Sequence, residues 1–219
     1  MKNLFKILTR EESVKTDNLM GVLSPFGEVE VIPDVEGNLE GYTGMCGDLR
    51  PEDFETRTTA WDLLFKDLAE EYTWVIEDDV AFNKKTIKSI LEALESDKSD
   101  LISNKIHSKN KRPRWGWWHL NYRFEDFELL TSLNCFCRIS PTLIQKVKQH
   151  RDKYGKFMFH EMLFPILSDT KLDFMVTHFR EYFNNFHWSE SKIDLDSVSE
   201  YAVYHPVKSD RRHTDICKL

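Results

Sequence analysis

The sequence predicts an α/β domain in which a mostly parallel, doubly wound sheet is flanked by helices. Three observations carry this reading. A length of 219 residues fits a single domain. A content of 41% hydrophobic and 13% aromatic residues is enough to bury a sizeable core and excludes global disorder. Short apolar runs alternate with segments of helical period in the order β, β, loop, α, β, α, β.

Residues 3–8 form an apolar run that reads as a buried strand, and residues 28–32 read as a second, ended by Pro33. Residues 33–53 hold Gly37, Gly41, Gly44, Gly47 and two prolines, which predicts a long loop of the kind that often carries function. A helix follows over 54–71, where Trp61, Leu64, Phe65 and Leu68 recur at i, i+3, i+4, i+7. Residues 72–76 form a short apolar strand that runs into Glu77-Asp78-Asp79. Ile87, Ile90, Leu91 and Leu94 share one face of a helix over 84–96, and residues 100–103 read as another strand.

The second half is less regular. A strand is expected over 131–139 and a helix over 141–150, with Pro141 near its start. Residues 157–168 read as helical up to about Pro165, and residues 172–176 as a late strand. Residues 189–219 are polar and are expected to wrap the surface as a tail. No internal repeat or low-complexity tract interrupts the chain. The single domain is therefore expected to span 1–219.

Lys+Arg number 30 and Asp+Glu 37, a net charge of −7. Such a chain is a poor general binder of nucleic acid or anionic membrane. Phosphate recognition would need a few placed cations or a metal. No apolar run approaches the roughly 20 residues of a membrane span, and the first ten residues lack the uninterrupted apolar stretch of a signal peptide. Cys46, Cys135, Cys137 and Cys217 fit no zinc spacing, because Cys135-Phe136-Cys137 lacks a second pair. Cys135 and Cys137 would share a strand face as small hydrophobes. The expectation is a reduced, soluble, cytoplasmic protein of undetermined oligomeric state.

The chemistry concentrates in Glu77-Asp78-Asp79, at the carboxyl end of a strand that reads as central. Ligands of open α/β sheets bind outside such ends. Adjacent carboxylates repel, and a hard cation such as Mg²⁺ or Mn²⁺ would relieve them. A polar strand-to-loop turn is the alternative.

Residues 74–82 resemble the acidic metal-binding segment, the DXD motif, of GT-A glycosyltransferases, with Glu-Asp-Asp in place of the literal spelling. The resemblance implies a Rossmann-like GT-A fold. It also implies metal contact by Asp79 and contact of Asp78 and Glu77 with sugar or ribose hydroxyls, Asp78 being a catalytic candidate. The first strand resembles that of the same enzymes, so Thr9 and Arg10 are nucleotide-binding candidates. Arg10 also opens the charged run Arg10-Glu11-Glu12 and reads equally as solvated. Arg57, near a predicted helix start, could reach a phosphate or simply be exposed.

Tyr204-His205-Pro206-Val207-Lys208 is the second element. The resemblance implies His205 as a metal ligand, a donor suited to Mn²⁺, and Lys208, three residues on, as a diphosphate contact. In Phe159-His160-Glu161-Met162, the pair inside an apolar run resembles the acid that GT-A enzymes place beside the acceptor. An inverting enzyme would use Glu161 as the base toward the acceptor hydroxyl, with His160 in the substrate pocket. A helix start whose Glu favours the dipole is the plain alternative. Residues 105–114 carry bases and no acid, and lead into Trp115-Gly116-Trp117-Trp118. Three tryptophans so close predict at least one on the sugar pocket among Trp115, Trp117 and Trp118.

The matching segments run in order from about residue 3 to 208. The narrower resemblance is to small GT-A domains encoded by chlorella viruses, which implies a host-cytoplasmic location and a chain that is one part of a longer polypeptide. The implied reaction is Mn²⁺- or Mg²⁺-dependent transfer of a hexosyl or deoxyhexosyl group from a nucleotide diphosphate sugar, a UDP-sugar foremost, to a glycan hydroxyl. Nucleic acid is not an expected partner. Two competing readings are a sugar-phosphate nucleotidyltransferase, against which stands the lack of a Gly-rich phosphate loop, and a non-catalytic carbohydrate- or nucleic-acid-binding module built on the tryptophans.

Overall fold

A computed structural model describes residues 3–37, 57–65, 71–116, 118, 127–155, 159–187, 189 and 198–219. β1 (Asn3–Thr9) leads through α1 (Val14–Leu23) to β2 (Gly27–Pro33), and the short strands β3 (Val35–Glu36) and β4 (Arg57–Thr58) pair with each other. Then follow α2 (Ala60–Leu63), β5 (Thr73–Glu77), α3 (Lys84–Ala93), β6 (Leu101–Ser108) and β7 (Leu130–Ile139). The chain closes with α4 (Pro141–Tyr154), α5 (His160–Leu167), β8 (Lys171–Asp173), a 3₁₀ turn at Arg180–Phe183 and α6 (Asp210–Cys217).

Six strands form one sheet in the order β2-β1-β5-β7-β6-β8. β1 is parallel to β2 and β5, β6 is parallel to β8, and β7 runs antiparallel to both its neighbours. The molecule is thus an α/β protein with a mixed, mostly parallel sheet flanked by helices, an arrangement compatible with a Rossmann-like fold. From β1 the chain moves outward to β2, and from β5 it moves the other way to β6. The strand order therefore reverses between β1 and β5, and Thr9 and Glu77 end these strands at that point.

Local chemistry explains the element bounds. Ser13 caps α1 in a capping box with Thr16, and Leu19, Val22 and Leu23 bury its inner face. The sequence reading passed over this helix. Asn83 and Ser140 cap α3 and α4 by accepting from Thr86 N–H and Leu143 N–H. α4 runs past residue 150 to Tyr154 and stops at Gly155, whose φ of 77° suits glycine. β2 packs so closely on β1 that a Cβ at Gly27 would lie 2.1 Å from the Asn3 carbonyl oxygen.

Four expectations need correction. The helix expected over 54–71 begins only at Ala60, because Thr59 and Asp62 make a capping box there and residues 57–58 pair as β4. Trp61, Leu64 and Phe65 are buried as the stripe requires, whereas Leu68 lies outside the described residues, as does most of the expected 33–53 loop. The helix expected to end near Pro165 continues to Leu167, for nearly every residue of α5 is buried and packing overrides the proline. The strand expected over 172–176 ends at Asp173, whose carboxylate accepts from Met175, Lys105 and Ile106 N–H and turns the chain.

The last correction concerns the polar tail. Ala202, Val203, Tyr204, His205 and Val207 are buried in the core, not wrapped over it, and α6 packs on α1. Tyr204 and Ala81 exchange both backbone hydrogen bonds at 2.9 Å, which draws this segment against the end of β5. One apolar cluster, including Phe5, Ile7, Trp74, Ile76, Phe136 and Tyr204, lies against α1, α3 and α6. A second, including Val75, Trp61, Leu143 and Phe164, lies against α2, α4 and α5. Each fully buried Phe or Ile contributes roughly 1.5–3 kcal/mol. No helix among the described residues is long and apolar enough to cross a membrane.

Candidate active site

Glu77, Asp78 and Asp79 follow directly from β5, and the chain turns so that they part. Asp78 goes one way: its Oδ2 accepts from Thr9 Oγ1 at 2.8 Å, and its backbone N–H donates to the Leu8 carbonyl. Thr9, expected at a nucleotide, is buried and holds this carboxylate at the end of β1. Glu77 and Asp79 go the other way, toward His205. His205 Nε2 lies 3.4 Å from Asp79 Oδ1 and 3.8 Å from Glu77 Oε2. The structure therefore groups Glu77 with the metal candidates and sets Asp78 apart.

Residues far away in sequence aim these groups. Trp61 Nε1–H donates to Glu77 Oε1 at 2.8 Å. His205 Nδ1 lies 2.6 Å from the His187 carbonyl oxygen, which can only accept, so Nδ1 carries the proton. In a neutral imidazole, Nε2 then presents its lone pair to the two carboxylates. Asp79 is only 6% exposed, and its Oδ1 has no hydrogen-bond partner among the described residues. Two lone pairs face each other there, so a positive charge, a proton or a metal ion, belongs between them. The other oxygen, Oδ2, is ion-paired with Lys208 Nζ.

The electrostatics follow this geometry. Burial pushes the Glu77 carboxyl above its ordinary pKa, and Asp79 adds to the effect. Burial also raises Asp78, partly offset by the Thr9 hydroxyl. Burial opposes ionisation of Asp79 too, but His205 and Lys208 outweigh it and hold its carboxyl well below the usual range. Burial weighs against the Lys208 charge, yet Asp79 keeps its pKa raised.

Glu161 occupies the first turn of α5 and is buried. Its charge adds to the raised pKa of the Cys135 thiol and partly offsets the lowering of Arg112 by burial. His160 is 4% exposed and stacks on Trp61, ring centroids 3.7 Å apart and planes 11° apart. Burial drives its pKa down to about 3, so it is a neutral packing ring in the core.

Trp115 and Trp118 are 8% and 6% exposed, and Trp115 stacks on Phe159 within the second apolar cluster. The local reason is that Trp118 Nε1–H bonds the Arg112 carbonyl, folding the segment inward. Trp117 lies outside the described residues, as does the side chain of Arg57. Arg10 is exposed beyond the end of β1. Lys105, from the basic stretch, is turned toward the backbone carbonyl of Phe186 and His187 Nδ1.

The sequence reading missed Trp61, Cys135 and His187 as members of this site. Cys135 Sγ, Glu77 and His205 offer ligand atoms that all lie within 4.8 Å of one another. No spacing rule could have found them, because the three come from β5, β7 and the late segment. A separate cavity of about 560 Å³ opens at the opposite end of the sheet, between Asn3, Tyr72, Trp74, Leu91 and Arg138. It contains none of the expected site residues.

No protein-family model matches the chain, and no curated protein matches it in sequence.

Proposed function

We propose that the chain is a divalent-cation-dependent glycosyltransferase that moves a sugar from a nucleotide diphosphate sugar, a UDP-sugar foremost, to an acceptor hydroxyl. The observation that carries this reading is that Asp79 and Glu77 both turn toward His205 beyond the ends of β1 and β5, with the buried Oδ1 of Asp79 lacking a hydrogen-bond partner among the described residues. Two carboxylates and an imidazole fit a divalent ion, Mn²⁺ better than Mg²⁺ because of the nitrogen donor. Asp79 and His205 would hold it.

A cation bound there supplies neutralisation of the charge that develops on the leaving diphosphate. The chain's own residues do the rest. Lys208, whose side chain is 62% exposed, can exchange its Asp79 contact for a phosphate oxygen. Asp78, fixed by Thr9, presents its remaining oxygen lone pairs to a ribose or sugar hydroxyl. Glu161 accepts the proton of the acceptor hydroxyl as its oxygen bonds to the anomeric carbon and the bond to the diphosphate breaks.

Calorimetric titration with UDP, with and without Mn²⁺ and with ATP as control, tests this. Mn²⁺-dependent UDP binding is the expected result. No binding of UDP in either condition overturns the UDP-sugar reading. The burial of Trp115 and Trp118 counts against the alternative of a module that stacks ligands on tryptophan.

A further inference from the structure

We propose that Glu77, Cys135 and His205 form a site for a thiophilic divalent cation of the zinc class. The inference deepens the cation site of the proposed function and rests on that reading for its position, though not for the identity of the ion.

The argument begins with spacing. Donor atoms around a small divalent ion with bonds of about 2.0–2.3 Å stand roughly 3.3–3.8 Å apart in a tetrahedron. His205 Nε2 is 3.4 Å from Asp79 Oδ1 and 3.8 Å from Glu77 Oε2. Cys135 Sγ, Glu77 and His205 fall within 4.8 Å of one another, so modest side-chain movement closes them around one ion. The donors sit on separate backbone elements, which fixes their directions independently of one another.

The chemistry of the donors then selects the metal. A set of one thiolate, one imidazole and carboxylate oxygens is poor for Mg²⁺ and unremarkable for Mn²⁺, but suits Zn²⁺ and Co²⁺. The Irving–Williams order points the same way, placing Co²⁺ and Zn²⁺ above Mn²⁺. The surroundings are also those of a prepared ligand set. His205 is oriented by the His187 carbonyl, and Glu77 by the Trp61 indole N–H.

The proton balance is simple. Without a bound ion the Cys135 thiol lies beside Glu77 deep in the core, and burial keeps its proton on. When the ion binds, a sulfur–metal bond forms, the S–H bond breaks, and one proton passes to solvent. Ions of this class would therefore compete with Mn²⁺ for the site and would bind more tightly as pH rises.

Titration of the whole chain with Co²⁺ tests the inference through a readout independent of turnover. A sulfur-to-cobalt charge-transfer band is expected in the near ultraviolet, removed by an equivalent of Zn²⁺ and by Cys135→Ser, and retained in Cys46→Ser. Cys135→Ser should weaken Zn²⁺ binding on the order of tenfold or more, since the thiolate is the soft donor. Calorimetry of the unmodified chain in buffers of different ionisation enthalpy should show proton release on Zn²⁺ binding, which needs no variant to fold.

Mn²⁺-dependent UDP binding together with Co²⁺ binding that lacks the band would overturn the Cys135 proposal and leave the transferase reading standing. A band that depends on Cys135, without UDP binding under any metal, would uphold the cation site and overturn the UDP-sugar reading. A band lost in Cys46→Ser but kept in Cys135→Ser would overturn the proposal.

Discussion

His205 Nε2 stands 3.4 Å from Asp79 Oδ1, and the ring is held there from behind by the 2.6 Å contact of Nδ1 with the His187 carbonyl. Only an imidazolium could bond His187 and Asp79 with a proton on each nitrogen. A divalent ion there would replace that second proton and would also attract Glu77, 3.8 Å from the same nitrogen. On a chain of net charge −7, Asp79 and Glu77 both turn toward one imidazole, with Lys208 paired to the other Asp79 oxygen.

Asp79→Ala is expected to abolish stabilisation by divalent ions while leaving the fold in place. The substitution removes the oxygen that faces His205 Nε2 and frees Lys208, whose side chain is 62% exposed and readily solvated. In the unmodified chain, an ion at 100 times its dissociation constant should add about 2.7 kcal/mol of stability. Thermal melts with and without Mn²⁺ check both halves. An undiminished shift in the variant would remove Asp79 from the metal site.

Trp61→Phe is expected to weaken cation binding by about 10–100-fold, because Trp61 acts on the ion through Glu77. The indole N–H donates to Glu77 Oε1 at 2.8 Å, and phenylalanine fills much of the same space without that donor. Leaving a buried carboxylate oxygen short of a donor also costs about 1–3 kcal/mol of stability. Urea unfolding reads the second effect and metal titration the first. A stability loss with unchanged cation affinity would make Trp61 a packing residue only.

How far the sequence foretold this site depends on the range over which each signal acts. Strand-to-loop carboxylates are local, so Glu77-Asp78-Asp79 and the sheet around β5 were legible. His205 and Lys208 were legible through the resemblance, and the structure brings both to Asp79. The division of the triplet was not, since it depends on the Thr9 hydroxyl on one side and Trp61 on the other, 69 and 16 residues away. Polarity misled at residues 189–219: burial of Tyr204 and His205 comes from backbone pairing with Ala81 and Asn185, which composition does not report. Of the tryptophans, Trp115 and Trp118 pack in the second apolar cluster, for indole packs in cores as readily as against sugars, while Trp117 lies outside the described residues. α1 was legible in principle, from Ser13 followed by Leu19 and Leu23 at i, i+4.

Acid should destabilise the protein through His160. Its pKa is pushed by burial down to about 3, against an ordinary 6.5, so the folded state holds it neutral. The unfolded chain binds the proton as pH falls below 6.5, and stability falls with it, by about 1.4 kcal/mol per pH unit once the unfolded group is fully protonated. At pH 5 the loss from this one group is about 2 kcal/mol. His160→Phe keeps a ring against Trp61 and leaves the backbone carbonyl that accepts from Asn134 Nδ2. Urea melts at pH 7 and pH 5 should show a smaller difference in the variant by about that amount. An equal difference would mean that His160 is protonated in the folded state.

Glu161→Gln is expected to lower turnover by about 10²–10⁴-fold while changing donor binding little, the signature of a lost general base. The position favours this separation. Glu161 is buried on the first turn of α5, on a different element from Asp79 and Lys208, which pair with each other. Glutamine keeps the shape and some of the hydrogen bonds, so unfolding should not account for the loss. The pH–rate profile gives the deciding readout: the acid limb of kcat in the parent should vanish in the variant if the carboxylate itself takes the proton. Should UDP affinity fall in parallel with turnover and the acid limb persist, Glu161 serves to shape the pocket, and the acceptor proton leaves by another route.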